Sequence, residues 1–281
     1  MPRIEVTHFT DPGCPWAWSA SPALTALQWR YGDQVAWRHV MIGLTETGDQ
    51  YVERGYTPVA MARSNAGFRR FGMPLAAIPK PRMAGTSRAC RAVVAARLAD
   101  PATEWRVLRQ LQALQFLTGD ALDDDAAIAR AVGDDPAGRI DDDDVVAAYE
   151  ADRAEARTAA GSPTEAQGKT ARSDGPIRYT APSVILRAEE RSLEAGGFQS
   201  HAVYDTLIAN LDPRLERRPA PDDLGEVLAA FPDGLYTAEV AEIRATGAAL
   251  ETDRGSVERE LIGLAAHGRA RREGDRWLPT L

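Results

Sequence analysis

Hydrophobic and polar positions alternate over residues 3–10, which is the period of a β-strand. One side of this strand carries Ile4, Val6, His8 and Thr10. Asp11, Pro12 and Gly13 interrupt the alternation, and a helical period then runs from Pro15 to the stop at Tyr31-Gly32. Residues 35–42 form a second β-rich run. The first 43 residues therefore predict strand, helix and strand, which is half of a small α/β sheet with a right-handed crossover.

The middle of the chain changes to helical periodicity. From about residue 49 to 160 no strand pattern is evident, and helical segments are predicted at 57–71, 87–99, 101–117, 123–132 and 142–159. A stretch rich in Gly, Ser, Thr and Pro, residues 161–177, then leads to a strand that begins directly after Pro182. A short strand near 191–194 and a helix over 201–208 follow. The sheet thus resumes after a large helical insertion.

The last 60 residues predict a separate module of three helices, 222–231, 237–245 and 256–267, followed by a hairpin over 270–278. Three helices and a hairpin resemble a winged-helix module. Its arginines are interspersed with acidic residues, which favours a docking or homodimerisation role over DNA contact. The predicted domains are 1–48 and 161–214 for the two halves of the α/β unit, 49–160 for the insertion and 215–281 for this module.

Composition narrows the function classes. The 281 residues carry 33 basic and 41 acidic side chains, a net charge of -8, which disfavours a general affinity for nucleic acid. The apolar runs are too short to cross a bilayer, and the first residues lack a basic stretch followed by an apolar run, so a cytoplasmic location without membrane association is expected. Two cysteines and four histidines show no metal-ligand spacing, so no metal site is expected.

The candidate nucleophile is Cys14, which the pattern places between the first strand and the first helix. Unpaired backbone N–H groups and the positive end of the helix dipole would face its sulfur there. Such positions favour the thiolate, so a pKa well below that of a free thiol is expected. His8, on the first strand, is a candidate for tuning the sulfur, although a lone histidine is more typical of a structural role.

Several segments resemble the DsbA family of thioredoxin-fold proteins, in the cytoplasmic branch with a helical insertion. They are Asp-Pro-x-Cys-Pro-Trp at 11–16, Ser21-Pro22-Ala23-Leu24, Tyr31-Gly32-Asp33, the helix from Thr86 to Val93 and Ala181-Pro182. The resemblance covers roughly residues 3–211. It implies an α/β, thioredoxin-like fold in which Pro182 is a cis-proline against Cys14 and the backbone at Ala181 can pair with a bound thiol or peptide. The substrate- or thiol-binding residues it implies are Pro15, Trp16, Ala17, Thr180, Ala181 and Pro182.

One departure from the family bears directly on activity. The redox motif of the family is Cys-x-x-Cys, whereas the fourth position here is Ala17. A mixed disulfide on Cys14 would need an outside thiol to resolve it. Cys90 is flanked by apolar residues on a predicted helix and is interpreted as a buried structural thiol rather than a substitute.

Three functions fit this sequence. The first is a monothiol thiol–disulfide oxidoreductase, whose partner is a small-molecule thiol or a protein mixed disulfide. The second is a glutathione- or mycothiol-dependent transferase or isomerase, since kappa-class glutathione transferases and hydroxychromene carboxylate isomerases resemble the same architecture with serine at the position of Cys14. The third is a redox-inactive binding scaffold. No tightly bound cofactor is expected, and a low-molecular-weight thiol is the candidate ligand.

Overall fold

A four-stranded sheet lies at the centre of the computed structural model, which describes residues 3–173, 175–245 and 252–280. The strands are β1 (Ile4–Thr10), β2 (Val35–Met41), β3 (Thr170–Ala171), β4 (Arg178–Tyr179), β5 (Ser183–Ala188), β6 (Arg191–Gly196), β7 (Leu235–Tyr236), β8 (Ala270–Glu273) and β9 (Arg276–Pro279). The central sheet has the order β2-β1-β5-β6. β1 and β2 are parallel, whereas β5 is antiparallel to both β1 and β6. The predicted strand, helix and strand at the start of the chain are confirmed.

Helices make up most of the remaining chain. They are α1 (Pro15–Tyr31), α2 (Asp49–Glu53), α3 (Pro58–Ala66), α4 (Ser87–Ala99), α5 (Glu104–Leu117), α6 (Asp125–Val132), α7 (Asp134–Gly138), α8 (Asp143–Ala156), α9 (Pro163–Ala166), α10 (His201–Leu211), α11 (Leu224–Ala230), α12 (Thr237–Ala245) and α13 (Arg254–Ala266). None of the helices in the described ranges is long and apolar enough to cross a bilayer.

The helical insertion, α2 to α9, has a core of its own formed mainly by α4, α5, α6 and α8. Its helices differ from the predicted ones in detail. The segment predicted over 101–117 begins with a 3-10 turn at Pro101–Thr103, because the Asp100 side chain caps the turn by accepting from Ala102 N–H, and the α-helix starts at Glu104. The segment predicted over 57–71 divides into α3 and a 3-10 turn at Gly67–Phe71.

The helix α1 is covered on nearly every side, with 13 of its 17 residues buried, so it has no continuous solvent face. Leu24 and Leu27 pack toward the sheet, whereas Ala26 and Trp29 pack against the carboxyl-terminal segment. A helix buried all round is typical of a central core element. Cys14 therefore precedes a helix that packs against both the sheet and the carboxyl-terminal segment.

The carboxyl-terminal segment contains α11, α12, α13 and a three-stranded antiparallel sheet of order β7-β9-β8. The residues between 245 and 252 lie outside the described ranges. Its winged-helix character and its division from the rest of the chain as a module stay predictions. Its apolar cluster includes Ala26 and Trp29 of α1. Each of four arginines lies beside a carboxylate, which compensates their charge. They are Arg269, Arg271, Arg272 and Arg276.

A buried ion pair joins three parts of the chain. Arg109 of α5 and Glu239 of α12 are 8% and 0% exposed, and Arg109 Nη2 donates to Glu239 Oε2 at 2.8 Å. Ser21 of α1 donates to the same carboxylate and accepts from Arg109 Nη1 at 2.8 Å. The Tyr236 backbone N–H donates to Glu239 Oε2 at 2.8 Å. The insertion, α1 and the carboxyl-terminal segment thus share one satisfied polar cluster.

Candidate active site

Cys14 occupies the junction that the sequence predicts, as the N-cap residue of α1 directly after β1. The loop is a tight turn, since Cys14 N–H donates to Asp11 O at 3.1 Å. Pro15 supplies the first helical position, where its missing N–H costs nothing. The Trp18 N–H then donates to Cys14 O at 3.0 Å, which closes the first turn.

The sulfur points toward the segment before β5. Cys14 Sγ donates to Ala181 O at 3.0 Å, and the Ala181–Pro182 peptide bond is cis. Cys14, Ala17, Tyr179 and Ala181 belong to one buried apolar cluster at the end of the sheet. Three of the six residues expected to bind a thiol, namely Ala17, Ala181 and Pro182, are buried. Cys14 therefore lies beside the Ala181–Pro182 bond.

The electrostatics of Cys14 contradict the expectation of an exposed thiolate. The residue is 6% exposed, and burial raises the pKa of its thiol to about 12. The backbone amides of Ala17 and Trp16 and the charge of Arg178 lower this pKa, whereas the Asp11 carboxylate raises it further. The helix amides act as predicted, but the loss of solvation outweighs them. The structure therefore holds Cys14 as a protonated, buried thiol.

Tyr51 and Arg178 are two neighbours of Cys14 that the sequence did not indicate. Burial raises the pKa of Tyr51, and the charges of Asp11 and Cys14 raise it further, which places this phenol in the same polar pocket. Arg178 is buried on β4 and donates from Nη1 to Tyr179 O at 3.0 Å and from Nη2 to Ser173 Oγ at 3.0 Å. Its guanidinium is the positive group that acts on the sulfur.

Trp16, 40% exposed, forms the solvent side of the site. Its ring lies edge-on to Phe68, with centroids 4.8 Å apart, and is tilted against Phe71 at 5.4 Å and Phe198 at 5.7 Å. These half-exposed rings come from the insertion and from the loop after β6, so spacing along the sequence gave no signal for them. Trp18, by contrast, is 0% exposed and donates from Nε1 to Pro74 O at 2.9 Å, which makes it a core residue.

Two further residues predicted for the site, Thr180 and His8, make their contacts with groups other than the Cys14 sulfur. Thr180 turns its hydroxyl away from the sulfur to donate to Lys169 O at 2.9 Å. His8 is 1% exposed and its ring lies 5.5 Å from that of His39. Burial, and then the neighbouring His39, lower the pKa of His8 well below its usual value. A neutral imidazole carries no charge that could stabilise a thiolate, so His8 lacks the electrostatic role expected of it.

Cys90 is wholly buried on α4 and is a free thiol, as is Cys14. Its sulfur faces the Asp11 carboxylate, with Sγ 3.5 Å from Oδ2. Burial raises the pKa of Cys90 well above that of a free thiol, and Asp11 raises it further. A thiol held in this way fits the structural role predicted for it.

A small cavity of about 50 Å³ opens beside the loop that carries Cys14. It lies between the insertion and Gly13, and Tyr51, Asn65, Thr86 and Phe116 contribute to its wall. Asn65 Oδ1 is buried without a hydrogen-bond partner among the described residues. The cavity has room for a few waters or a small chemical group. Within the described ranges, no group of three His, Cys, Asp or Glu side chains could hold a metal ion.

Comparisons with known proteins agree with this geometry. The sequence matches no family model and no curated protein. Its structure is similar to a putative protein disulfide isomerase from Nitrosomonas europaea, with a TM-score of 0.57, 14% identity and coverage of 74% of this chain and 97% of that chain. It is also similar to the cytosolic disulfide reductase DsbM from Pseudomonas aeruginosa, alone and with GSH, at TM-scores of 0.51 and 0.50. Both DsbM structures show 17% identity and coverage of 75% of this chain and 98% of that chain.

Identities this low show the fold alone. The chain has the thioredoxin-like fold of the DsbA-type oxidoreductases, with many added helices. The resemblance seen in the sequence is thereby confirmed at the level of fold.

Proposed function

We propose that this protein is a monothiol thiol–disulfide exchange protein, in which Cys14 forms a mixed disulfide that an outside thiol resolves. The observation that carries this proposal is the contact of Cys14 Sγ with Ala181 O at 3.0 Å, combined with an alanine, Ala17, at the fourth position of the motif. A thiol at a helix N-terminus beside a backbone acceptor suits disulfide exchange. The absence of a second thiol in that turn leaves only partners from outside the chain.

The reaction has two balanced steps. The Cys14 thiol loses its proton, its sulfur attacks a disulfide R–S–S–R′, and R′–S⁻ leaves and takes up a proton, which gives Cys14–S–S–R and R′–SH. A second thiol R″–SH then attacks the R sulfur, so Cys14 leaves as thiolate and is reprotonated, and R–S–S–R″ is released. Ala181 O accepts from the thiol before the first step and again after the second.

A low-molecular-weight thiol, glutathione or mycothiol, is the partner we propose for the second step. Support comes from the similar DsbM structure that was solved with GSH. The rings of Trp16, Phe68 and Phe71 offer an apolar face for the other partner, and Trp16 follows Cys14 by two residues.

The burial of Cys14 favours a second candidate, a thioredoxin-like scaffold without redox activity. Cys14 is 6% exposed, so its sulfur must become more accessible before a disulfide can align its S–S bond with it for attack. The exchange function therefore requires that the bound partner, or a local opening, displaces part of the cover.

Mixed-disulfide formation separates these functions. We expect incubation with glutathione disulfide or mycothiol disulfide to add one thiol per chain, which intact mass spectrometry detects. Cys14→Ser should lose the adduct, and Cys90→Ser, with its small polar replacement on α4, should keep it. Tight calorimetric binding of the reduced thiol without an adduct would instead favour a transferase or isomerase. No adduct and no binding would favour the scaffold.

The adduct should form slowly at neutral pH and faster at higher pH. The pKa of Cys14 is about 12, so the thiolate fraction is small at pH 7 and rises about tenfold for each pH unit below that value. A series of adduct-formation rates from pH 7 to 9.5 tests this. A rate that is already level above pH 7 would contradict a raised pKa.

A further inference from the structure

The Asp11 carboxylate, just after β1, is wholly buried and accepts from four donors. Oδ1 accepts from Gly13 N–H at 2.7 Å, and Oδ2 accepts from Leu44 N–H and Thr86 Oγ1, both at 2.9 Å. The Cys90 thiol is the fourth donor, at 3.5 Å. Backbone N–H groups can only donate, so this arrangement suits the ionised carboxylate.

The four donors belong to separate parts of the chain. Gly13 is next to Cys14, Leu44 follows β2, and Thr86 and Cys90 lie at the start of α4 in the insertion. The packing here is tight, since a Cβ on Gly13 would come within 2.5 Å of the Thr86 methyl group. Asp11 thus ties the loop ahead of the nucleophile to the first turns of an insertion helix.

The charged and titratable groups around the sulfur come from several elements. Asp11 after β1 and Tyr51 on α2 lie near Cys14, as does Arg178 on β4. The Asp11 charge also raises the pKa values of Cys90 on α4 and Tyr149 on α8. Burial raises the pKa of Asp11 itself, whereas its hydrogen-bond donors lower it. The Asp11 charge therefore opposes ionisation of Cys14, Tyr51, Cys90 and Tyr149.

We propose that Asp11 is a positioning residue that fixes the loop ahead of Cys14 and places a buried negative charge near its thiol, and that Thr86 and Cys90 serve this role by anchoring the carboxylate to the insertion. The inference rests on the proposed thiol–disulfide exchange, since it assigns control of the same sulfur. The thiol and the mixed disulfide are both neutral, so the Asp11 charge disfavours only the thiolate between them. The insertion thereby influences Cys14 through Asp11.

The test compares Asp11→Asn with the wild-type chain in the rate of Cys14 alkylation by iodoacetamide between pH 7 and 9. Asparagine keeps the shape and removes the charge. A neighbouring charge shifts a pKa by about one unit or more, and a more acidic thiolate is a weaker nucleophile. We expect Cys14 alkylation to be about threefold to tenfold faster in the variant. Circular dichroism confirms that both proteins are folded.

Thr86→Val is the matched control, because it removes one donor and leaves the charge. Its Cys14 rate should rise by less than that of Asp11→Asn, because the lost donor only partly favours the neutral carboxyl, while Cys90 should stay unlabelled in all three proteins. The proposal is overturned if Asp11→Asn is no faster, if Thr86→Val is accelerated equally, or if Cys90 becomes labelled together with Cys14. The last two results would indicate loosening rather than charge. Alkylation needs no disulfide partner, so its outcome is independent of whether a mixed disulfide forms.

Discussion

Arg109→Ala is expected to destabilise the protein by about 3–5 kcal/mol, because it leaves the buried Glu239 carboxylate without its counter-charge. Glu239 is 0% exposed, so water cannot replace the lost partner. Ser21 and Tyr236 would still donate to the carboxylate, but neither carries a positive charge. For a chain of this size the loss corresponds to a fall of roughly 10 °C in the melting temperature. Thermal unfolding followed by circular dichroism measures it.

Two further variants make this test specific. Arg271→Ala removes the partner of Glu273, with each side chain 50% exposed, and exposed pairs of this kind contribute about 0–1 kcal/mol. Arg109→Met combined with Glu239→Leu removes both charges at similar volume and should recover most of the stability. Some loss should remain, since the Tyr236 N–H loses its acceptor. If Arg109→Ala had the same melting temperature as the Arg109→Met/Glu239→Leu double variant, the Glu239 charge would not be buried in solution.

The second large effect is expected from Ala17→Cys, which places a second thiol at the fourth position of the Cys-x-x-Cys spacing. Ala17 lies one helical turn after Cys14, and its backbone N–H is directed at the Cys14 sulfur. A thiol held at that distance has an effective concentration of at least about millimolar and far more when well oriented. It should displace glutathione from the mixed disulfide and close an internal disulfide. The glutathione adduct should therefore fall at least about tenfold under conditions that load the wild type.

Intact mass spectrometry after thiol alkylation distinguishes the two outcomes. When the protein is denatured before alkylation, the internal disulfide leaves one alkylatable thiol, Cys90, and no glutathione, whereas the adduct retains the glutathione mass. Ala17→Ser is the matched control, since it adds a similar side chain without sulfur and should keep the adduct. Ala17 is 2% exposed, so both variants should show a small packing cost in thermal melts. Persistence of the adduct beside an unreacted introduced thiol would mean that residue 17 cannot reach Cys14.

Local patterns predicted the elements that position Cys14. Alternation over 3–10, Pro15 at the start of the helix and the strand after Pro182 all depend on neighbours within a few residues, and β1, α1 and β5 begin where these signals place them. The short α7 and α9 were not predicted, because helices of five and four residues leave almost no periodic signal.

The state of the sulfur could not be predicted in this way. Cys14 contacts Ala181, 167 positions along the chain, and Asp11 accepts from Thr86, 75 positions along. Both Asp11 and Thr86 stand in segments that carry the family resemblance, which was the available hint that they matter. The sequence predicted the helix amides, which favour the Cys14 thiolate. Burial of the sulfur, which disfavours the thiolate, results from tertiary packing that local patterns do not reveal.

The burial of Trp29 against the carboxyl-terminal segment also predicts what truncation of the chain would expose. A fragment ending near residue 214 would lack Leu224, Leu228 and Trp277, which pack in the same cluster as this indole. The uncovered stripe would lie on the helix that begins beside Cys14, and bare apolar stripes of this kind drive self-association. Proteolytic removal of this segment would therefore favour aggregation of the rest of the chain.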